Sequence, residues 1–189
     1  MKKILCVLLM FVMTACAAVK KTEIKNYDIS FDDGEIITLD AKEMKIKILY
    51  EPPFKAPNIE HLMPYPLEKA ILGWAKAKLK VSGKGENIAV FTINNASVVQ
   101  AITDEGLLKG GDRETYKANV EISLEIQDYK GGKTEAVANA WQDYTRPLVM
   151  TLSQREEVWF NMVKDVTNDA GGKLEATIKE FLSSYIVEE

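Results

Sequence analysis

The stretch from Tyr116 to Gln127, YKANVEISLEIQ, decides the fold of this chain. Apolar and polar residues alternate along it, so the two kinds of side chain would point to opposite sides of an extended strand. The apolar set is Tyr116, Ala118, Val120, Ile122, Leu124 and Ile126. One buried and one wet face are typical of an antiparallel sheet that helices cover on a single side.

The segments on either side of this stretch also predict strands. Asn87 to Ile102 is apolar on both faces, which indicates a central strand, and its pair Asn94-Asn95 indicates a bulge or bend. Past the turn at Gly131-Gly132, a third strand should run from Thr134 to Arg146. These three strands form the predicted meander.

The third strand has two possible registers. One of its faces carries Ala136, Ala138 and Ala140, and the other carries Val137, Asn139, Trp141 and Asp143. Small residues let a helix approach closely, so we place the alanines inward. Val137, Trp141 and Asp143 then become a candidate partner surface. The opposite register, with Trp141 in the core, fits the residues about as well.

Two amphipathic helices are predicted. Pro66 suits a first helical turn, and an apolar stripe that includes Trp74 continues from it to about Leu79. The motif Ser153-Gln154-Arg155-Glu156 fits a capping box, and the stripe that follows reaches Tyr185. This stripe keeps its phase across Gly171-Gly172, which predicts one long helix with that pair as the place for a kink.

The chain before the first helix should begin with two short strands, Glu35 to Leu39 and Met44 to Tyr50. Glu51 to Pro66 follows and holds five of the six prolines, so it cannot join a helix or a central strand. We expect an ordered crossing loop that packs onto the domain through its apolar residues, Phe54, Ile59, Leu62 and Met63.

This order of elements predicts an α+β fold. It would be a two-layer sandwich, a mostly antiparallel sheet with two helices on one face, formed by residues 27–189 as a single domain. Between the first two strands of the meander, Thr103 to Glu114 should be a mobile loop with Leu107 and Leu108 at its middle. These leucines either tuck under the domain, which we favour, or touch a membrane or a partner, and in the second case Leu107 and Leu108 belong to the candidate partner surface with Val137, Trp141 and Asp143.

The first residues form a targeting segment. Lys2 and Lys3 precede the apolar run Ile4 to Met13, which has the length of a signal-peptide core and is too short to span a bilayer. The run ends in Met13-Thr14-Ala15-Cys16, which resembles the lipobox of bacterial lipoproteins. An ordinary signal peptide with an incidental cysteine is the alternative.

The lipobox resemblance implies cleavage of residues 1–15, diacylglycerol on Cys16 and usually a further acyl chain, with residues 16–26 as a lipidated tether to the membrane. More than one chain is needed, since a single acyl chain binds a bilayer reversibly, at about 10⁴ M⁻¹. Among such lipoproteins Asp after the cysteine retains the protein at the inner membrane. Residue 17 is Ala, which favours the outer membrane, facing the periplasm.

Composition excludes several kinds of partner and site. The net charge is −4, and loss of Lys2 and Lys3 would make the chain more acidic, which argues against nucleic acid. Both cysteines, Cys6 and Cys16, lie in the leader or at the lipidation site, so the folded part has none for disulfides or metals. We expect no cofactor.

Catalytic and metal signatures are weak. The acidic residues Asp28, Asp32, Asp33 and Glu35 do not have the spacing of a calcium loop. The single histidine, His61, stands beside Glu60 without a nucleophile elbow elsewhere, so we interpret it as a structural loop residue. A hydrolase that uses His61 with Glu60 is a less favoured alternative.

The element order is similar to that of two kinds of envelope lipoprotein, the lipopolysaccharide-assembly lipoprotein of the outer membrane and the auxiliary lipoproteins of ABC-type transporters. The run Pro57 to Pro64, with Trp74 after it, also looks like a group of uncharacterised Gram-negative envelope proteins. This last resemblance brings no activity with it. The anchor, the complete core and the lack of a set of nucleophile, base and metal ligands favour a non-catalytic binding or assembly module with an envelope protein or lipid partner. A lipid carrier, the alternative, would need an apolar groove between helices and sheet.

Overall fold

The computed structural model describes residues 25–103 and 112–187. Within these residues there are six strands: β1 (Ile37–Leu39), β2 (Glu43–Ile48), β3 (Leu79–Val81), β4 (Ile88–Thr103), β5 (Arg113–Gln127) and β6 (Lys133–Pro147). The helices are α1 (Leu67–Lys78) and α2 (Leu152–Phe181), with 3-10 turns at Glu60–Leu62 and Ser183–Tyr185. The leader, Cys16 and residues 16–24 of the tether lie outside the described residues, as do Leu107 and Leu108.

The main sheet has the strand order β2-β4-β5-β6. β4, β5 and β6 form the expected antiparallel meander, whereas β2 runs parallel to β4, so the sheet is mixed rather than purely antiparallel. The parallel pair arises because the crossing segment and α1 carry the chain back before β4 begins. β1 and β3 form a separate parallel pair. The register shift between Ile93 and Asn95 confirms the predicted bulge.

Burial follows the period of two in the sequence. Every apolar residue of the β5 alternation is at most 1% exposed. In β6 the alanines at 136, 138 and 140 face the core and Trp141 is 68% exposed, so the register with the alanines inward is the one that the structure has. α2 packs on β5 and β6, and α1 packs on α2 and β4. The α+β fold with two helices on one face is confirmed.

The N-terminus of α2 differs from the prediction. Its cap is Thr151, whose side chain accepts a hydrogen bond from the Gln154 N–H, while the Gln154 side chain accepts one from the Thr151 N–H at 2.9 Å. The predicted box at Ser153 and Glu156 is therefore wrong by two residues. Both pairs satisfy the same spacing, so the sequence pattern alone cannot separate them.

Gly171 and Gly172 lie inside one continuous helix, α2. α1 crosses α2 at Gly171. A Cβ added at Gly171 would lie 2.3 Å from Nε1 of Trp74, so no larger residue fits there without movement. Trp74 is buried as predicted, at 3% exposure, and its ring also faces Phe91. Gly172 faces open space. Of the two glycines, only Gly171 is required by the packing.

The crossing segment packs only in part as predicted. Ile59, Met63 and Tyr65 are buried, but Phe54 and Leu62 are exposed, so the expected burial of those two is wrong. The segment follows the edge of β4 beyond the end of β2. There the Ile59 N–H donates to Val98 O at 3.0 Å and the Gln100 N–H donates to Pro57 O at 2.8 Å.

The predicted loop from Thr103 to Glu114 is also too long. Thr103 belongs to β4, and Arg113 and Glu114 belong to β5. These residues pair across the hairpin because the strand alternation continues beyond its apolar part. The predictions for Leu107 and Leu108 fall outside the described residues.

The glycine pair offers a matched test of helix packing. Gly171→Ala should lower the free energy of unfolding by about 2 kcal/mol, since the new methyl group overlaps the Trp74 ring. Gly172→Ala should raise it by about 1 kcal/mol, the gain in helix propensity at an open site. Chemical denaturation of both variants measures the difference. Equal effects would contradict the crossing at Gly171.

Candidate functional site

The outward face of β5 and β6 is mostly polar and carries ion pairs. Lys117 lies 3.7 Å from Asp143, and Lys133 lies 3.3 Å from Glu125. The lysine and the aspartate of the first pair are more than half exposed, so that pair contributes at most about 1 kcal/mol to stability. Against this background a large apolar side chain stands out.

Trp141 is that side chain, on the edge strand β6. It is 68% exposed, and Val137, four residues earlier on the same face, is 40% exposed. Lys173 of α2 reaches over the strand, with its Nζ 5.2 Å from the centre of the Trp141 ring. The same Nζ donates to Asn139 O at 3.2 Å and to Asp169 at 2.9 Å. The lysine thus covers part of the strand edge and leaves most of the indole in solvent.

We call Val137, Trp141 and Asp143 the outer patch. The structure places all three on one face of β6, as the favoured register requires. Trp141 and Asp143 are two residues apart, about 7 Å along the strand, and Val137 is about 13 Å from Trp141. Asp143 is held by Lys117. The role of these residues in binding a partner stays a prediction.

A second feature is a cavity beside the crossing segment that sequence reasoning missed. It has a volume of about 300 Å³ and opens to solvent. Its wall comes from the segment before α1, the first turn of α1 and one residue of β4: Tyr50, Pro52, Phe54, Glu60, His61, Pro66, Leu67, Glu68, Lys69 and Ala96. This volume is at the low end of the range for small-molecule sites.

Glu60 is the organising group of this cavity and is only 7% exposed. Its Oε1 accepts hydrogen bonds from Tyr50 OH at 2.7 Å, Asn58 Nδ2 at 2.8 Å and Val98 N at 2.8 Å. Its Oε2 is buried and has no partner among the described residues. Burial and the bond to Glu60 raise the pKa of the Tyr50 phenol. The carboxylate therefore ties the crossing segment to β4.

His61 does not join Glu60 in an acid–base pair. Its side chain is exposed, and the contact it makes is with the ring of Phe54, 5.9 Å between centres. Phe54 itself has a φ of 54°, in the left-handed region. Within residues 25–103 and 112–187 no hydrogen bond joins the His61 ring to a carboxylate, so the geometry gives the hydrolase alternative no support.

Another buried carboxylate lies near the end of the β4–β5 hairpin, where Glu114 pairs with Ile102. Glu114 is fully buried, accepts a hydrogen bond from Gln100 Nε2 at 2.6 Å and lies 3.3 Å from Arg155 of α2. It thus joins β4, β5 and the first turns of α2. The sequence contained a signal for it, because Glu114 stands two residues before Tyr116 and so continues the inward-facing set.

The described residues contain neither a metal-binding cluster nor a membrane-spanning helix. The described part of the chain has no group of three or more His, Cys, Asp or Glu residues placed to hold a metal ion. Over the same residues, no helix combines the length and the apolar character needed to cross a bilayer.

Comparison with known proteins finds similar structures only. No family model and no curated protein sequence matches the chain. A minor lipoprotein from Acinetobacter baumannii has 14% identity and a TM-score of 0.41, covering 80% of this chain and 99% of that one. The rare lipoprotein B from Shewanella oneidensis has 10% identity and a TM-score of 0.43, covering 73% and 94%. Neither likeness carries a residue or an activity over to this chain.

The Glu60 network can be tested by removing the acceptor. Glu60→Ala should lower the free energy of unfolding by about 2 kcal/mol, because three donors lose their shared partner. Glu51→Ala, at an exposed glutamate of the same segment, is the matched control and should change it by less than about 0.5 kcal/mol. Urea denaturation measures both. A Glu60 variant as stable as the control would show that the carboxylate does not hold the segment.

Proposed function

We propose that this chain is a lipoprotein of the bacterial cell envelope whose folded domain is a non-catalytic binding or assembly module. The leader ending at Cys16 supports the anchor, and the absence of an Asp at position 17 supports the outer membrane. The observation that carries the binding role is Trp141, 68% exposed on an outward face of β5 and β6 where Val137 is the other exposed large apolar residue.

A surface with an exposed tryptophan surrounded by polar residues resembles a protein interface, which has an apolar centre and a polar rim. Tryptophan is among the residues that contribute most to binding, and a polar surround keeps water out once a partner covers it. Val137 extends the apolar area along the strand, and the pair of Asp143 with Lys117 sits at its rim. The occupant we propose is an envelope protein that covers the Trp141 indole.

The lipid-carrier alternative has less support from the geometry. The space between the helices and the sheet is filled by side chains of the core, among them Trp74, Phe91 and Met162, each at most 3% exposed. The cavity at the crossing segment lies outside that space and has room for a small molecule of about 300 Å³. An adaptor role therefore agrees better with the packing than transport of a lipid.

The anchor is tested at its cysteine. Cys16→Ala should shift the protein from the membrane pellet to soluble or unprocessed forms, because the acylated residue is lost. Cell fractionation with immunodetection measures the distribution. Full processing with unchanged pelleting would rule out the lipoprotein assignment.

The outer patch is tested by photocrosslinking in cells. A crosslinking amino acid at position 143 should capture one envelope protein, whereas one at exposed position 161 on α2 should not. Adducts equally rich from both positions would count against the patch.

A substitution then measures the contribution of the indole. Trp141→Ala should reduce binding of the captured partner about tenfold or more, since a central interface tryptophan contributes about 2 kcal/mol. Tyr129→Ala, which removes an aromatic ring 66% exposed in the β5–β6 turn, is the control and should leave binding unchanged. Equal loss in both variants would mean that Trp141 is not the contact.

A further inference from the structure

The first described residues show where the chain enters the domain. Lys25 pairs with Glu157 of α2 at 2.8 Å, and the ring of Tyr27 packs on Phe160 at 5.0 Å between centres. The exposed ion pair is weak by itself, but the ring contact fixes the same location. Lys25, the first described residue, therefore lies beside the first turns of α2.

This end of the molecule exposes three aliphatic side chains. Val149 is 95% exposed, Leu152 is 65% exposed and Ile102 is 62% exposed. We call these three residues the apolar end. No other described part of the chain exposes a large hydrophobic side chain as fully as Val149.

The strand pairing brings the three residues of the apolar end to one edge of the molecule. Ile102 pairs with Glu114, which pairs in turn with Arg146. The Leu148 N–H donates to Asp112 O at 3.0 Å, which holds the chain before Val149 at the same edge. Leu152 begins α2 and lies about 7.5 Å along the helix from Glu157.

The length of the tether decides which end of the domain can reach the bilayer. Nine residue steps join Cys16 to Lys25, which span about 30 Å at full extension. From Glu157 to Phe181, near the opposite end of α2, the distance is about 36 Å along the helix axis. Anchored through Cys16, the apolar end comes within easy reach of the membrane surface. With α2 upright and Phe181 at the surface instead, Lys25 would lie about 36 Å above the bilayer, beyond the extended tether.

Charges around the apolar end are compatible with lipid headgroups. Arg146 is exposed at this edge, where it suits anionic headgroups, and Arg113 is partly exposed there. Glu156 and Glu157 are the opposing charges nearby, and Glu157 is paired with Lys25. Asp112 and Glu114 are further carboxylates at this end, and Glu114 is paired with Arg155.

We propose that Ile102, Val149 and Leu152 contact the lipid bilayer that holds Cys16 and so orient the domain with α2 rising from the membrane. This inference rests on the proposed lipid anchor. It assigns the apolar end to the membrane and leaves the outer patch for the protein partner. Trp141 is five residues from Arg146 along β6, about 17 Å at the rise of a strand, and so stays above the headgroups.

The test maps contacts with acyl chains directly. The mature chain is attached to vesicles of phosphatidylethanolamine and phosphatidylglycerol through Cys16, in one arm by its natural acyl groups and in the other by coupling to a maleimide-bearing lipid. A photoactivatable group on the acyl chains of a tracer lipid marks the residues that meet the bilayer, and mass spectrometry locates the adducts. We expect them at residues 102 and 148–153.

Matched variants give the control. Val149→Asp with Leu152→Asp should lower the adduct yield at this end several-fold, because charged carboxylates do not enter the acyl-chain region. Both side chains are exposed, so the fold does not depend on them. Ile36→Asp with Val187→Asp, beside the C-terminal end of α2, should leave the yield unchanged, and circular dichroism checks that both variants fold.

The outcomes separate this inference from the anchor. Adducts spread evenly, adducts concentrated near Phe181, or protein–protein crosslinks between two apolar ends in place of lipid adducts would each overturn the proposed membrane contact. If the maleimide-coupled chain gives adducts at the apolar end while Cys16→Ala pellets normally in cells, the contact stands and the lipoprotein assignment fails. If the chain is acylated at Cys16 in cells but the lipid adducts are spread evenly, the lipoprotein assignment stands and the proposed membrane contact fails.

Discussion

The close approach of Trp74 to Gly171 is the constraint on which the arrangement of the layers depends. The indole occupies the volume that a Cβ at Gly171 would need, so α1 crosses α2 at this one point. α2 in turn packs against the alanine face of β6, where small side chains let the helix approach the sheet. With α1 fixed, Pro66 at its start determines where the crossing segment arrives. Glu60 can then reach Val98 of β4.

The parts of the fold that the sequence predicted are those where one periodic pattern records burial. Apolar and polar residues alternate from Tyr116 to Gln127 with a period of two, which is specific to a strand with one buried face. In the structure every apolar residue of this alternation is buried. The start of α2 was misplaced because Thr151 and Ser153 both stand three residues before a glutamine or glutamate. Phe54 was misplaced because a residue in an irregular segment has no period from which its side-chain direction can be read.

The buried carboxylates show a different limit. Glu60 and Glu114 look like surface residues in a sequence, since charged side chains are almost never fully buried unless they are paired. The partners that stabilise these buried carboxylates come from distant segments: Val98, which bonds to Glu60, lies on β4, and Arg155, which pairs with Glu114, lies on α2. Such groupings exist only after the chain has folded. Glu114 alone was open to inference, through its inward phase with Tyr116 on β5.

The positions of these features along α2 suggest why a small domain of this kind would carry a lipid anchor. The chain enters beside Glu157, with the apolar end at the same place. Lys173 lies about 24 Å further along the helix, and Trp141 lies about 17 Å from Arg146 along β6. A rigid helix of 30 residues therefore sets the height of the exposed indole above the attachment point. An anchor alone would allow a tethered domain to tumble, whereas a second contact by aliphatic side chains would hold Trp141 at a fixed distance from the bilayer. A partner that is itself membrane-bound would then meet the indole at a defined height above the bilayer. The effective concentration of the partner at Trp141 would rise without any new contact.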